Sequence, residues 1–437
     1  MHLTVDEVAR VTGGRIVGSP DLVVDGATMD SRALRPGQLF VALQGDRDGH
    51  DFVVAARAAG AAAALVERAL DDAPAVIVED SGVALTALGA HARDRLEGAV
   101  IGVTGSVGKT SVKDLIAAAT SPSRSTAASL RSFNNELGVP LTLLEAADDT
   151  EVAVIEMGAR GVGHVRDLCT VARPTIGVVT AVALAHTEAF GAIEEVTRAK
   201  GELVEALTAA GTAVLNQGDE RVAAMASRTA GGILTYGVDR GDVRAEGVVL
   251  DGDLRPRFRL VTPWGEADLV LAVRGRHNAE NAAGAAAAAL AAGAEFDGVV
   301  AGLAGASLSP WRMELTVARS GARVLNDAYN ANPASTAAAV EALADLDAER
   351  HTAVLGPMAE LGHHAEAEHR RIAERASALG IRLVAVGTED YGPAVEVVDG
   401  VDGAVGALGI LGPGDAVLVK GSRVAGLEAL AQRLLDA

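Results

Sequence analysis

Apolar and polar positions change their spacing twice along the chain, and the changes divide it into three regions. Over residues 1–82 short apolar runs alternate with turns. The spacing predicts a short helix at 6–12, strands at 39–43, 63–66 and 75–78, and a helix at 52–62, with a linker at 79–82. From residue 83 the pattern becomes helix (83–96), buried strand (100–103), glycine-bearing turn, and helix (109–119). Apolar strands at 152–155, 176–180 and 213–215 then alternate with helices such as 193–207. Such alternation calls for a parallel sheet covered on both faces. Between residues 233 and 273 the period moves toward two around a Gly252-Asp253 turn, which predicts a small antiparallel sheet, followed by an Ala-rich helix at 279–292.

Ser307-Leu308-Ser309-Pro310 reads as a second linker. Beyond it, strands at 324–326, 352–355, 383–386 and 416–419 alternate with helices near 335–344, 365–379 and 426–435, the pattern of a smaller doubly wound domain. The expected fold is therefore α/β with three domains: a small α/β domain over 1–82, a central parallel-sheet domain with a small antiparallel sheet over 83–310, and a Rossmann-like domain over 311–437. A length of 437 residues agrees with about three domains.

Composition narrows the function. With 49% apolar residues the chain can bury several cores, and a net charge of −20 excludes a nucleic-acid or anionic-membrane partner, which would call for clustered Lys and Arg. Cys169, the single cysteine, cannot form an internal disulfide, so a reducing compartment is expected. The first residues lack a basic stretch followed by an apolar core. Ala-rich runs at 59–66 and 282–292 fall short of the ~20 residues of a membrane span. A cytoplasmic monomer is the expectation. Lysine occurs only at Lys109, Lys113, Lys200 and Lys420, and every other basic side chain of this class is arginine. A bias against lysine spares sites where a compact amine is chemically required, because guanidinium is planar, bulkier and never neutral.

One of those lysines, Lys109, lies in a motif. Thr104-Gly105-Ser106-Val107-Gly108-Lys109-Thr110-Ser111 sits between a predicted strand and a predicted helix, where glycines let N–H groups curl around phosphate oxygens and the helix N-terminus adds favourable partial charge. Gly105, Ser106, Gly108 and Ser111 belong to the cradle. Lys109 would hold the β/γ-phosphates of ATP, and the Thr110 hydroxyl would ligate Mg²⁺. The match is to a shortened G-x-x-G-K-[ST], since Val103 stands where the longer form has glycine. Lys113, one turn on, is expected in solvent. The loop by itself leaves kinase, GTPase and ligase open.

Further segments decide among these. Ser132-Phe133-Asn134-Asn135-Glu136-Leu137-Gly138, Val154-Ile155-Glu156-Met157-Gly158-Ala159, Gly275-Arg276-His277-Asn278-Ala279-Glu280-Asn281, Pro310-Trp311-Arg312-Met313-Glu314, Leu325-Asn326-Asp327-Ala328-Tyr329-Asn330-Ala331-Asn332-Pro333 and Val419-Lys420-Gly421-Ser422-Arg423 occur in this order. With them the whole chain resembles the Mur ligase family. The Asp327-Ala328-Tyr329-Asn330 segment is similar to the branch that joins D-alanyl-D-alanine to UDP-N-acetylmuramoyl-tripeptide. The neighbouring alternatives are the branch that adds the third amino acid to the dipeptide precursor, a non-catalytic precursor-binding paralogue, and, outside the family, a phosphate-loop kinase.

The resemblance implies a reaction and a site. A carboxylate does not condense with an amine in water, so the γ-phosphoryl group of ATP is first transferred to it. Phosphate then leaves the acyl phosphate as the amine attacks, and both steps crowd negative charge that cations must offset. Lys109, Lys200, His186 and Lys420 are the implied catalytic residues. Glu156 and His186, with Thr110 and Lys200, are implied at the divalent metals, Lys200 as a CO₂-derived carbamate. Asn278 and Asn281 are implied near adenine, Arg312 near phosphate, Asp327 near ribose with Tyr329 beside it, and Lys420 on the opposite side. Ser31, Arg32, Gly45, Asp48, Gly49 and His50 are implied at the uridine diphosphate end, and Asn134, Asn135 and Thr142 at the peptide or sugar. Family members carry an Asn-Ile-Gly run before the metal histidine, whereas this chain has Ala181-Val182-Ala183, so a side-chain contact to nucleotide is missing there.

Overall fold

The computed structural model describes residues 1–69, 74–183 and 190–436. In the first region, strands Arg15–Val17, Ala75–Ile77, Ala63–Val66, Leu39–Val41 and Ala27–Thr28 form one sheet, parallel except at the Arg15–Val17 edge. The first helix, Val5–Thr12, begins in a reciprocal cap: Thr4 accepts from the Glu7 N–H, and the Glu7 carboxylate accepts from the Thr4 N–H. The helical spacing after residue 52 holds only over Val53–Ala58, since the run opens with a 3₁₀ turn at Gly49–Phe52.

Residues 79–82 do not form a linker. Asp80 accepts from the Val83 N–H and starts the helix Ser81–Arg95. Packing is continuous across this point, because Leu3, Val8 and Leu65 share one buried cluster with Leu85, Leu88, Val139 and Ile155. Helix Ser81–Arg95 meets the helix Gly138–Glu145 so closely that a Cβ on Gly89 would stand 2.6 Å from Pro140 Cα.

The central sheet has nine strands, in the spatial order Gly265–Val270, Pro256–Thr262, Val243–Leu250, Gly232–Val238, Thr212–Asn216, Ile176–Val179, Ala99–Thr104, Val152–Glu156, Thr126–Ala128. The antiparallel strands expected after residue 233 are not a separate sheet. Gly232–Val238 pairs parallel with Thr212–Asn216, so the antiparallel hairpins extend the parallel sheet at one edge. An alternating pattern reports that one face is wet, but not which strand lies alongside. Strand Ala99–Thr104 lies between the later strands Val152–Glu156 and Ile176–Val179, so the phosphate loop leaves the sheet where the strand order reverses, the place where such sheets bind ligands.

The loop's helix, Lys109–Thr120, is packed under Phe296–Ala304 and His277–Ala291. A Cβ on Gly302 would lie 2.0 Å from the Ala118 carbonyl oxygen, a backbone atom that cannot move aside. Gly302→Ala is therefore expected to destabilise the protein by about 1–3 kcal/mol, read as a lower urea midpoint at unchanged slope. An unaltered midpoint would show that the two helices slide apart freely.

The last region is a six-stranded sheet, Glu314–Val317, Arg323–Asn326, Asp415–Lys420, Arg350–Leu355, Arg382–Val386, Glu396–Val398, parallel except for the Glu314–Val317 edge. Its helix Pro333–Ala344 starts with Asn332 accepting from the Ser335 N–H and proline at the first turn, which explains the Asn-Pro pair in the sequence.

Candidate functional site

The phosphate loop is shaped by two glycines in conformations that side chains resist. Gly105 has φ 148°, and a Cβ there would stand 2.0 Å from Thr180 Oγ1; Gly108 has φ 83°. The loop is braced from the next strand: the Ser106 N–H donates to the Ala181 carbonyl at 2.7 Å, and the Thr180 hydroxyl to the Val107 carbonyl at 2.5 Å. Asn216 in turn donates to the Thr180 carbonyl. In the Ala181-Val182-Ala183 segment, then, the backbone supports the loop without an amide side chain. Lys109 Nζ donates to the Gly105 carbonyl at 2.7 Å and is half-buried; desolvation pushes its pKa down, the Glu156 carboxylate opposes the shift and Arg312 adds to it.

Lys109 and Asn134 line two adjoining cavities. The first, about 440 Å³, is bounded by the phosphate loop (Ser106, Gly108, Thr110, Ser111), Glu156, His277, Asn278 and Asn281 on one side and by Arg312, Asp327, Tyr329 and Lys420 on the other. The second, about 490 Å³, adds Asn135, Glu136, Arg160, His164, Asp167 and Lys200.

Glu156, at the end of strand Val152–Glu156, is buried. One of its oxygens accepts from Asn134 Nδ2 at 2.8 Å, while Oε2 is buried without a hydrogen-bond partner. An unpartnered carboxylate oxygen beside a phosphate loop and the Thr110 hydroxyl suits a hard divalent cation, whose ligands are oxygens. Among the described residues no group of three His, Cys, Asp or Glu side chains forms a ready-made metal cluster. His186 lies outside the described residues.

Lys200 projects from the helix Ile193–Glu205 and is 2% exposed. Burial drives its pKa well below the ordinary lysine range, the Lys109 ammonium adds to this, and Glu202 and Glu156 oppose it. The Phe190 ring lies with its centroid 5.8 Å from Nζ. The buried Lys200 amine is thus biased toward its neutral, nucleophilic form.

Across the first cavity, the C-terminal sheet supplies a second layer. Lys420 donates to Asp327 Oδ2 and, at 2.8 Å, to the Asn330 carbonyl, while Asp327 Oδ1 accepts from the Met313 N–H. Arg312 lies over the Tyr329 ring at 4.2 Å, and the Tyr329 hydroxyl meets Ser132 of the central region in a hydrogen bond. This contact, with neighbouring Trp311 (φ 63°) and Met313 (φ 52°) in strained backbone, holds the two regions together over the cavity. Asn278 is fully buried and occupied internally, donating to the Arg274 carbonyl and accepting from Asn281 Nδ2; Asn281 Oδ1 is the part that faces Gly108.

Other expected residues are elsewhere. Ser31, Arg32, Gly45, Asp48, Gly49 and His50 line neither cavity. Arg32 is exposed and forks onto Asp30, whose carboxylate is held below its usual range first by Arg32, with a contribution from Arg131 of the central region. Ser31 and Gly45 are also on the surface side of their loops. His50, expected at a ligand, is instead buried with both ring nitrogens engaged, one at Asp48 Oδ1 and the other accepting from the Glu67 N–H. Asp48 is spent on His50 and Arg68, and its pKa is held at about 2, chiefly by the His50 N–H. Gly49 is glycine because a Cβ would stand 2.5 Å from the Leu43 nitrogen. Thr142 is buried in its helix and donates to the Gly138 carbonyl, so it faces neither ligand cavity. Lys113, expected in solvent, is 2% exposed.

Sequence reading missed Ser132, Thr180, His277 and Asn330. His277 lines the wall of the first cavity, and desolvation there pushes its pKa down against an opposing pull from Asp327. Its place at the head of the Ala-rich helix was legible; its facing Asp327 across the cavity was not.

A phosphate loop at the switch point of a parallel sheet, facing a second α/β domain across a cation-lined cavity, defines a phosphate-loop nucleotide-binding enzyme. Family descriptions agree along the chain: "Mur ligase family, catalytic domain" matches residues 23–95, "Mur ligase middle domain" 103–289, and "Mur ligase, glutamate ligase domain" 311–423. The chain belongs to the Mur ligase family. It is 41% identical to UDP-N-acetylmuramoyl-tripeptide–D-alanyl-D-alanine ligase of Mycobacterium tuberculosis, over 100% of this chain and 98% of the relative. Among solved structures it is similar to MurF of Acinetobacter baumannii, with 29% identity, a TM-score of 0.87 and coverage of 100% and 99%. It is also similar to MurF ligase of Thermotoga maritima in complex with ADP, with 26% identity, a TM-score of 0.81 and coverage of 94% and 97%.

Proposed function

We propose that this protein joins D-alanyl-D-alanine to UDP-N-acetylmuramoyl-tripeptide at the expense of ATP, in peptidoglycan precursor synthesis. The observation that carries the reading is the pair of cavities meeting at Lys109, one bounded by the phosphate loop and the other containing Lys200, in a chain similar end to end to ligases of that name. Similarity to a ligase solved with ADP supports nucleotide in the first cavity.

The terminal carboxylate of the tripeptide takes the γ-phosphoryl group and ADP departs. The dipeptide amine then attacks the acyl carbon, phosphate leaves with its electron pair, and the amine loses a proton. Lys109, Arg312 and Lys420 surround the first cavity with positive charge where phosphate charge accumulates. Glu156, the Thr110 hydroxyl and carbamylated Lys200 would hold Mg²⁺, which when bound offsets charge on the transferred group. Ser132 and Tyr329 close the cavity between the regions and keep water from the acyl phosphate. No helix among the described residues is long and apolar enough to cross a membrane, which supports action on a soluble precursor in the cytoplasm.

The test is phosphate release with UDP-N-acetylmuramoyl-tripeptide, D-alanyl-D-alanine and MgATP together and with each omitted. Release that requires both acceptor and dipeptide, with amide in the product, is expected. ATP turnover without amide would sink the reading, and product formed only from the dipeptide precursor and a single amino acid would move it one step earlier.

A further inference from the structure

Lys113 is one of four lysines, is fully enclosed, and has no part in the chemistry described above. Its ammonium donates to the Ser129 carbonyl at 2.8 Å and pairs with Asp114 Oδ1 at 2.6 Å. The other Asp114 oxygen accepts from the Ser309 N–H at 2.7 Å, within the segment that leads into the C-terminal domain. Ser129 is equally well placed: its hydroxyl accepts from the Glu156 N–H at 3.1 Å, and it opens the loop that carries Ser132 and Asn134. Ser132 meets Tyr329 and Asn134 meets Glu156. From one turn beyond Lys109, therefore, a single buried ion pair reaches both the segment entering the C-terminal domain and the loop on which that domain rests.

We infer that Lys113 and Asp114 are positioning residues that tie the phosphate-loop helix to the seating of the C-terminal domain and to the orientation of Glu156. Lysine suits the place because a slender stem and a compact ammonium reach a carbonyl and a carboxylate together, where the planar guanidinium would need more room. Neither residue is part of the nucleotide cradle, so the inference separates seating from binding. Its turnover arm rests on the ligase reading, whereas its exchange arm does not.

The experiment compares the full chain with Lys113→Met, of similar length, by three measurements: ADP affinity by calorimetry, steady-state turnover with all substrates, and hydrogen exchange by mass spectrometry with MgADP bound. The expected result is ADP affinity within about threefold of wild type, kcat lower by about ten- to a hundredfold, and faster exchange confined to residues 129–137 and 306–313. Asp114→Asn gives the second variant. It keeps the shape but points an N–H₂ at either the Lys113 ammonium or the Ser309 N–H, and should show the same selective pattern. It decides the matter if Lys113→Met does not fold. Wild-type kcat and exchange in both variants would overturn the inference. So would ADP affinity and kcat falling together with faster exchange throughout the central sheet, the mark of general loosening. If wild type makes no amide the ligase reading fails, and exchange in the two segments still tests the coupling.

Discussion

Lys200→Ala should lower kcat by about a thousandfold while leaving a folded protein that still binds ADP. A small carboxylate such as acetate or formate, supplied at high concentration, should restore part of the loss. The expectation follows from the state of the amine. Buried and close to Lys109, Lys200 has a pKa well below that of an ordinary lysine, and only a neutral amine adds to CO₂. A carbamate there would be an anion beside the Lys109 ammonium, so it would replace an unfavourable buried ammonium with a paired group. Lys200→Arg separates this from a need for positive charge: guanidinium keeps the charge and cannot become a carbamate, so that variant should be as inactive as Lys200→Ala.

The pH dependence has a definite sign. Activation by bicarbonate should grow as pH rises through the lowered pKa and fade below it, because protonation removes the nucleophile. Without carbamate, the unfolded chain binds a proton that folded Lys200 gives up more readily, so the residue costs stability as pH falls from the ordinary lysine value toward the lowered one. Lys200→Met should then be no less stable at pH 7 than the uncarbamylated wild type. Activity of Lys200→Ala within tenfold of wild type, or full activity of Lys200→Arg, would rule the carbamate out.

Lys109→Met is expected to reduce kcat by about a thousandfold and to weaken MgATP binding as well. In the structure the Lys109 ammonium caps the carbonyls of Gly105 and Ser106 at 2.7 and 3.4 Å, the direction from which it would meet phosphate oxygens. Its burial costs the charged form solvation, so an anionic phosphate entering the cradle gains a strong charge-assisted hydrogen bond. Lys109→Arg should not recover the rate, since the loop has so little room that even a methyl group on Gly105 would collide with Thr180. Isothermal titration with ADP and single-turnover phosphate release measure the two effects separately. A variant that retained both within tenfold would show that Lys109 shapes the loop rather than holding nucleotide.

The order of strands and helices was legible because each alternation records a local fact: which face of one element is wet. Strand Ala99–Thr104, the glycine turn and helix Lys109–Thr120 follow from an apolar run, two glycines and a helical period lying next to each other in the chain. Asp80 was read as part of a linker because a cap and a turn use the same residue types. The antiparallel edge of the central sheet was read as separate because alternation does not say which neighbour a strand pairs with. Lys113 was placed in solvent since nothing local reveals that Ser129, 16 positions later, brings its carbonyl within reach. Likewise nothing local reveals that both His50 ring nitrogens are engaged, one by the Glu67 N–H 17 positions on.

The sequence by itself determined the three α/β regions, the phosphate loop with Lys109 and, through ordered motifs, the family; the scarcity of lysine drew attention to Lys200. Only the tertiary structure decided that Lys109 stands between two cavities, that Glu156 keeps one buried oxygen without a partner, and that Arg312, Asp327, Tyr329 and Lys420 close over the first cavity. It also engaged both ring nitrogens of His50, tied the Thr142 hydroxyl to the Gly138 carbonyl and enclosed Lys113. The physical reason is the same in each case. Periodicity and capping act over a few residues and are written locally, whereas burial, partnership and charge balance depend on groups that only folding brings together, from 16 positions apart for Lys113 and Ser129 to 197 for Ser132 and Tyr329.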